Sequence, residues 1–171
     1  MHIKRFLFVV SLVIVSGCSA FHQPAPDQIH GLYHDRFTGW QEKITRQGWS
    51  EALVNELVEQ SIIFSQYRAE ESDYWDTPRQ FVEKGFQGDC EDIAVFAMSN
   101  LKMLKYPHRV RILAVKALTG HHAVLKVEMP DGKWKVYETV PVLFGQFDRA
   151  FYRPIVEFDE NTILYFDDRR S

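Results

Sequence analysis

The sequence predicts an α+β domain in which N-terminal helices pack on one face of an antiparallel β-sheet. Between Ser50 and about Lys105, apolar stripes recur with helical period and carry their own caps. From Arg109 onward the period changes to two, and Pro130-Asp131-Gly132 separates two alternating runs as a hairpin turn would. Helices followed by a meander, rather than helices alternating with strands, favour an antiparallel sheet.

The first residues have the layout of a secretory signal: Lys4 and Arg5, the apolar run Phe6 to Val15, then Val15-Ser16-Gly17-Cys18. The apolar run is too short to span a bilayer, for which about 20 residues are needed. Small residues directly before a cysteine resemble the lipobox of bacterial lipoproteins, which implies acylation of Cys18 as the mature N-terminus. The alternative is an ordinary signal peptide cut after Ala20. Ser19 stands where an aspartate would favour inner-membrane retention, so the resemblance implies the periplasmic face of the outer membrane. The expected organisation is a signal over residues 1–17, a lipidated tether over 18–35 and a single domain over 36–171, with Pro24, Pro26 and scattered histidines marking the tether.

The chain has 171 residues, with 20 Lys and Arg against 23 Asp and Glu, a net charge of −3, and loss of Lys4 and Arg5 makes it more acidic. That balance argues against nucleic acid as a partner. Of the two cysteines, one is assigned to lipid, so Cys90 has no partner in the chain and the fold is not disulfide-stapled.

Ser50 is a plausible N-cap for a helix to about Tyr67, with Leu53, Leu57, Phe64, Val54, Val58 and Ile62 forming the apolar stripe. Glu70 to Thr77 reads as a loop. Thr77-Pro78-Arg79-Gln80 carries a capping box with proline at the first helical position, and Gly85 ends that short helix. A further helix begins at Asp89 or Cys90 and runs to about Lys105, because Cys90, Ala94, Ala97, Leu101 and Leu104 share a face; Pro107 prevents its continuation. Strands are expected from Arg109 to Ala117, His121 to Met129, Lys133 to Val140, Ile155 to Phe158 and Thr162 to Phe166.

Cys90 lies in Gly88-Asp89-Cys90-Glu91-Asp92 at a helix start, where unpaired N–H groups and the helix dipole favour a thiolate. The competing reading is a buried cysteine acting as a small hydrophobe. A three-residue loop at Pro130 to Gly132 would set Met129 against Lys133, His122 against Val140 and Glu138 against Val124. His122 and Glu138 then lie diagonally on one sheet face, their β-carbons at most roughly 7 to 8 Å apart. Val124, Trp134 and Val136 share that face, so a helix is expected to pack on it. His121 and Tyr137 have the opposite parity and are expected to point away. Cys90, His122 and Glu138 thus match a nucleophile, base and orienter, unless His122 is merely a sheet-edge histidine near a surface glutamate. The Cys90 amide is an oxyanion donor by position, and Trp75 a candidate side-chain donor.

Asp73-Tyr74-Trp75-Asp76-Thr77-Pro78, Gly88-Asp89-Cys90-Glu91-Asp92 and His122-Ala123-Val124-Leu125, in that order, closely resemble bacterial transglutaminase-like cysteine proteinases. The similarity covers about Glu70 to Val140. It implies a papain-like core and peptide-bond hydrolysis with Cys90 and His122 in the catalytic roles. Family members usually carry aspartate then asparagine as the third element, where this chain has Glu138-Thr139. The acidic flank of Asp89, Glu91 and Asp92 should oppose thiolate formation. One branch of the family uses calcium at acidic residues beside its cysteine, which implies Asp89 and Glu91 as metal candidates; otherwise no cofactor is required, and Asp89 and Asp92 are a helix cap and its N3 partner. The expected activity is that of a periplasm-facing, lipid-anchored cysteine peptidase or amidase acting on protein or peptidoglycan-type amides. Its alternatives are acyl transfer to an amine, or a binding module without catalysis.

Overall fold

The computed structural model describes residues 26–69, 74–117, 120–140 and 152–166. The signal segment, Cys18 and Asp73 lie outside the described residues. The elements in chain order are α1 (Pro26–Gln47), α2 (Glu51–Phe64), β1 (Gln66–Tyr67), α3 (Pro78–Glu83), β2 (Gln87–Gly88), α4 (Cys90–Met103), β3 (Val110–Ala117), β4 (Gly120–Glu128), β5 (Trp134–Tyr137), β6 (Arg153–Phe158) and β7 (Ile163–Tyr165). The main sheet has the order β5-β4-β3-β6-β7, with every pairing antiparallel. This is the α+β architecture that the sequence predicts.

Local chemistry sets the helix boundaries. Ser50 Oγ accepts the Leu53 amide at 3.2 Å and starts α2. Thr77 and Gln80 form the predicted capping box of α3. After α3 the chain reverses through Gly85 and Phe86, both at positive φ (72° and 63°), and Phe86 is fully buried. A phenylalanine there is strained, but its ring meets those of Phe81 and Phe96 in the core, which offsets the backbone cost.

Residues 26–35 are a correction to the expected tether. They form the first part of α1, with Ile29 buried and the Tyr33 hydroxyl donating to Asn100, which in turn donates to Ser61 Oγ at 2.9 Å. The stripe Ile29, Tyr33, Phe37, Trp40 and Ile44 packs against the core and supplies the physical reason. The packed region therefore begins before residue 36.

The hairpin register is the predicted one: Leu125 pairs with Tyr137 and Glu128 with Trp134. The helix-bearing face is a second correction. Leu125, Val127 and Tyr137 join α2 and α4 in the main core, while Ala123 and Ile112 pack against Cys90 and Ala94. Leu113, Val115 and Val124 form a separate cluster with Val136 and Tyr152 on the outer face. Both faces are apolar, so alternation alone could not tell which one receives the helices.

Candidate active site

The loop before Cys90 is fixed by Asp92, one turn into α4. Its buried carboxylate accepts the Asp76 amide at 2.7 Å and the Asp89 amide at 3.2 Å, tying the start of α4 to the loop that carries Trp75. The first intrahelical bond runs from the Ile93 amide to the Asp89 carbonyl at 3.2 Å. The Cys90 amide precedes it, with no acceptor inside the helix. Trp75 packs beside Cys90 and tilts against Phe158 with ring centroids 5.5 Å apart.

Cys90 meets the sheet at an edge. In β4 the odd-numbered residues turn their amides and carbonyls toward β5, as the bond from the Met129 amide to the Lys133 carbonyl shows. Two residues past the Leu125–Tyr137 pair, β5 has ended, and Ala123 presents the same edge. Its carbonyl accepts the Thr139 hydroxyl at 2.5 Å, and its amide hydrogen-bonds the Cys90 sulfur. The thiol thus occupies a ladder position that β5 vacates, one residue from His122.

His122 projects from β4 with Nε2 2.5 Å from Glu138 Oε1. Glu138 is buried, and Oε1 also accepts the amides of Thr139 at 2.9 Å and Val140 at 3.1 Å. Its other oxygen accepts the Tyr152 hydroxyl at 3.0 Å. Burial alone would raise this carboxyl, but the bonds from His122, Val140 and Tyr152 outweigh it and hold Glu138 below the usual carboxylate range. With Nε2 committed to Glu138, Nδ1 is the ring nitrogen left for proton exchange.

The acidic flank acts on the thiol directly. Cys90 Sγ donates to Glu91 Oε2 at 3.1 Å. Burial first, then this bond and the charges of Glu91 and Asp89, push the thiol up to about 12, against the lowering effect of the Ala123 amide. The same charges reach Tyr67, whose phenol is raised by burial and then by Cys90, Asp89 and Glu91. Donor atoms of Asp89, Cys90 and Glu91 lie within 4.8 Å of one another. The two carboxylates are hard oxygen donors of the kind calcium takes, whereas the thiol is not, so Asp89 and Glu91 fit such an ion and Cys90 does not.

The sequence brings Cys90, Ala123, His122 and Glu138 to one end of β4, but it carried no sign of Tyr152 or Tyr67. Tyr152 lies just before β6, outside the hairpin whose turn and alternation fix the register, and Tyr67 reaches the cluster through the two-residue parallel pairing of β1 with β2. Neither contact leaves a local pattern.

No protein-family model and no curated protein matches the sequence. Solved structures do. The EGTA-treated form of LapG from Legionella pneumophila superposes with a TM-score of 0.62 at 17% identity, over 85% of this chain and 88% of that one. Its calcium-bound form gives 0.59 at 18% identity, over 83% of this chain and 88% of that one. A cysteine-protease candidate from Cytophaga hutchinsonii gives 0.55 at 13% identity, over 82% of this chain and 46% of that one. The chain thus shares its fold with these proteins, α+β with Cys90 at the N-terminus of a helix packed on an antiparallel sheet.

Proposed function

We propose that this chain is a lipid-anchored cysteine peptidase or amidase of the bacterial envelope, with Cys90 as nucleophile, His122 as base and Glu138 as orienter. The observation that carries the reading is the junction at β4: the Ala123 amide holds the Cys90 sulfur while the adjacent His122 is tied to Glu138. In the proposed reaction Nδ1 of His122 takes the thiol proton and the sulfur bonds to the amide carbonyl carbon. The Cys90 amide faces the developing oxyanion, a contact worth about 10²- to 10³-fold in rate. The amine then leaves with the proton from His122. Water, losing its proton to His122, cleaves the thioester and restores the thiol with release of the acid.

Asp89 and Glu91 would hold a calcium ion, whose positive charge would offset the part of the thiol's rise that comes, after burial, from Glu91 and Asp89. Cys18 is the proposed lipidated residue, anchoring a single domain at the periplasmic face of the outer membrane, and the substrate class is a protein or peptidoglycan-type amide. Acyl transfer to an amine would use the same thioester. The raised thiol favours one competing reading, a binding module of the same fold that performs no chemistry.

Envelope proteins compared by mass spectrometry in wild type and Cys90→Ala test the proposal. New chain termini, or released peptide fragments, that depend on Cys90 support it; identical profiles from an envelope in which both proteins accumulate equally contradict it.

A further inference from the structure

We infer that Tyr152 is a positioning residue of this site, locking the plane of the Glu138 carboxylate and the ring of His122 together. The inference rests on the reading of Cys90, His122 and Glu138 as the reacting group. It begins from the length of Glu138. With one methylene more than aspartate, the side chain folds back until Oε1 accepts the amides of Thr139 and Val140 as well as His122 Nε2. The last torsion of a glutamate has broad wells, so these bonds to one oxygen leave the carboxylate free to pivot. The Tyr152 hydroxyl fixes the second oxygen at 3.0 Å. Its ring also lies beside the imidazole, with centroids 5.8 Å apart and planes at 30°, which restricts rotation of His122.

Tyr152 can do this because its own ring is anchored. It packs against Leu113, Val115 and Val124 on the outer face of the sheet, where it walls a cavity of about 300 Å³ that Val136 and Pro154 also line. A tyrosine held by its ring and presenting its hydroxyl inward is a rigid donor. A longer acidic side chain needs such a second anchor; a shorter one pinned by the backbone would not.

The test is the pH dependence of Cys90 alkylation by iodoacetamide, with calcium present throughout, in Tyr152→Phe and Tyr152→Leu, with Tyr106→Phe as control, since the Tyr106 hydroxyl bonds the Glu128 carbonyl at the far end of β4. Tyr152→Phe keeps the ring and loses the hydroxyl. It should slow alkylation near pH 6 about tenfold and move the profile to higher pH, the scale of one charge-assisted hydrogen bond. Tyr152→Leu should slow it further, and Tyr106→Phe should leave the profile in place. Wild-type rate and profile in Tyr152→Phe, alongside fast alkylation that His122→Ala abolishes, would overturn this inference and leave the parent reading intact. A wild-type thiol that is slow at pH 6 whatever occupies residue 122 would overturn both.

Discussion

The carboxylate of Asp92 fills the space that a side chain on Gly88 would need: a Cβ at residue 88 would lie 2.4 Å from Asp92 Oδ2 and 2.9 Å from Phe81 Cε2. Gly88 and Asp92 are therefore one device, which lets the loop close over α4 so that Cys90 leads the helix. Gly88→Ala should lower stability by about 1 to 3 kcal/mol or more, because buried Asp92 and the Phe81 ring have little room to yield. Asp92→Ala removes the acceptor of two backbone amides and should cost at least as much. Thermal melts check both, and a Gly88→Ala protein with the wild-type Tm would contradict the packing argument.

Glu91 holds the thiol in its protonated form. Burial is the first cause of the raised value of about 12, with the hydrogen bond and charge of Glu91 next. Glu91→Gln should therefore shift the pH midpoint of Cys90 alkylation downward. Added calcium should shift the wild type in the same direction, and Glu91→Gln should respond to it less. A wild type insensitive to both calcium and EGTA would remove the metal from the account while leaving the thiol and imidazole in place.

The Glu138 carboxyl sits below its ordinary value of 4.5, since its hydrogen bonds outweigh the opposing effect of burial. A group depressed by folding contributes stability that is fully present above its unfolded value and is lost as pH falls through the folded one. Stability of the wild type should thus decline below about pH 4.5. Glu138→Gln should show a shallower decline, read from Tm between pH 3 and 6. Equal acid slopes in the two proteins would show that Glu138 is not held as described. Glu138→Asp keeps the charge but shortens the reach, and should slow alkylation of Cys90 by breaking contact with His122 or Tyr152.

On the outer face, Glu157 is buried and bridges Arg111 and Lys126, each at 2.5 Å. Removing it leaves Arg111 with Asp159 alone and the partly exposed Lys126 without its carboxylate, so Glu157→Ala should cost about 1 to 3 kcal/mol. Glu157 and Lys126 also line the cavity that Tyr152 walls, so the alkylation profile reports whether the loss of Glu157 reaches the Tyr152 ring as well as overall stability. Denaturant melts with the profile measured alongside would separate the two effects.

Much of this arrangement was legible because it is local. The turn at Pro130 to Gly132 and the alternation around it set the β4–β5 register, which put Glu138 within reach of His122. The caps at Ser50 and Thr77 marked the starts of α2 and α3. The start of α1 was hidden, since Gly31, Gly39 and the flanking prolines interrupt a stripe that becomes evident only when Trp40 and Ile29 are seen buried. The helix-bearing face escaped for a different reason. Val124 and Val136 on one side are as apolar as Leu125 and Val127 on the other, and choosing between them requires the helices. Thus the sequence parity put Glu138 within reach of His122, but it was the open edge at Ala123, not a shared face, that brought the Cys90 sulfur to the residue next to His122.

Activation of Cys90 by His122 is read from the rate of Cys90 alkylation by iodoacetamide at pH 6 in the presence of calcium. The wild-type thiol should react well above the rate of a free cysteine, and His122→Ala should abolish the excess. A wild-type rate no faster than a free thiol, unchanged by His122→Ala, would contradict it.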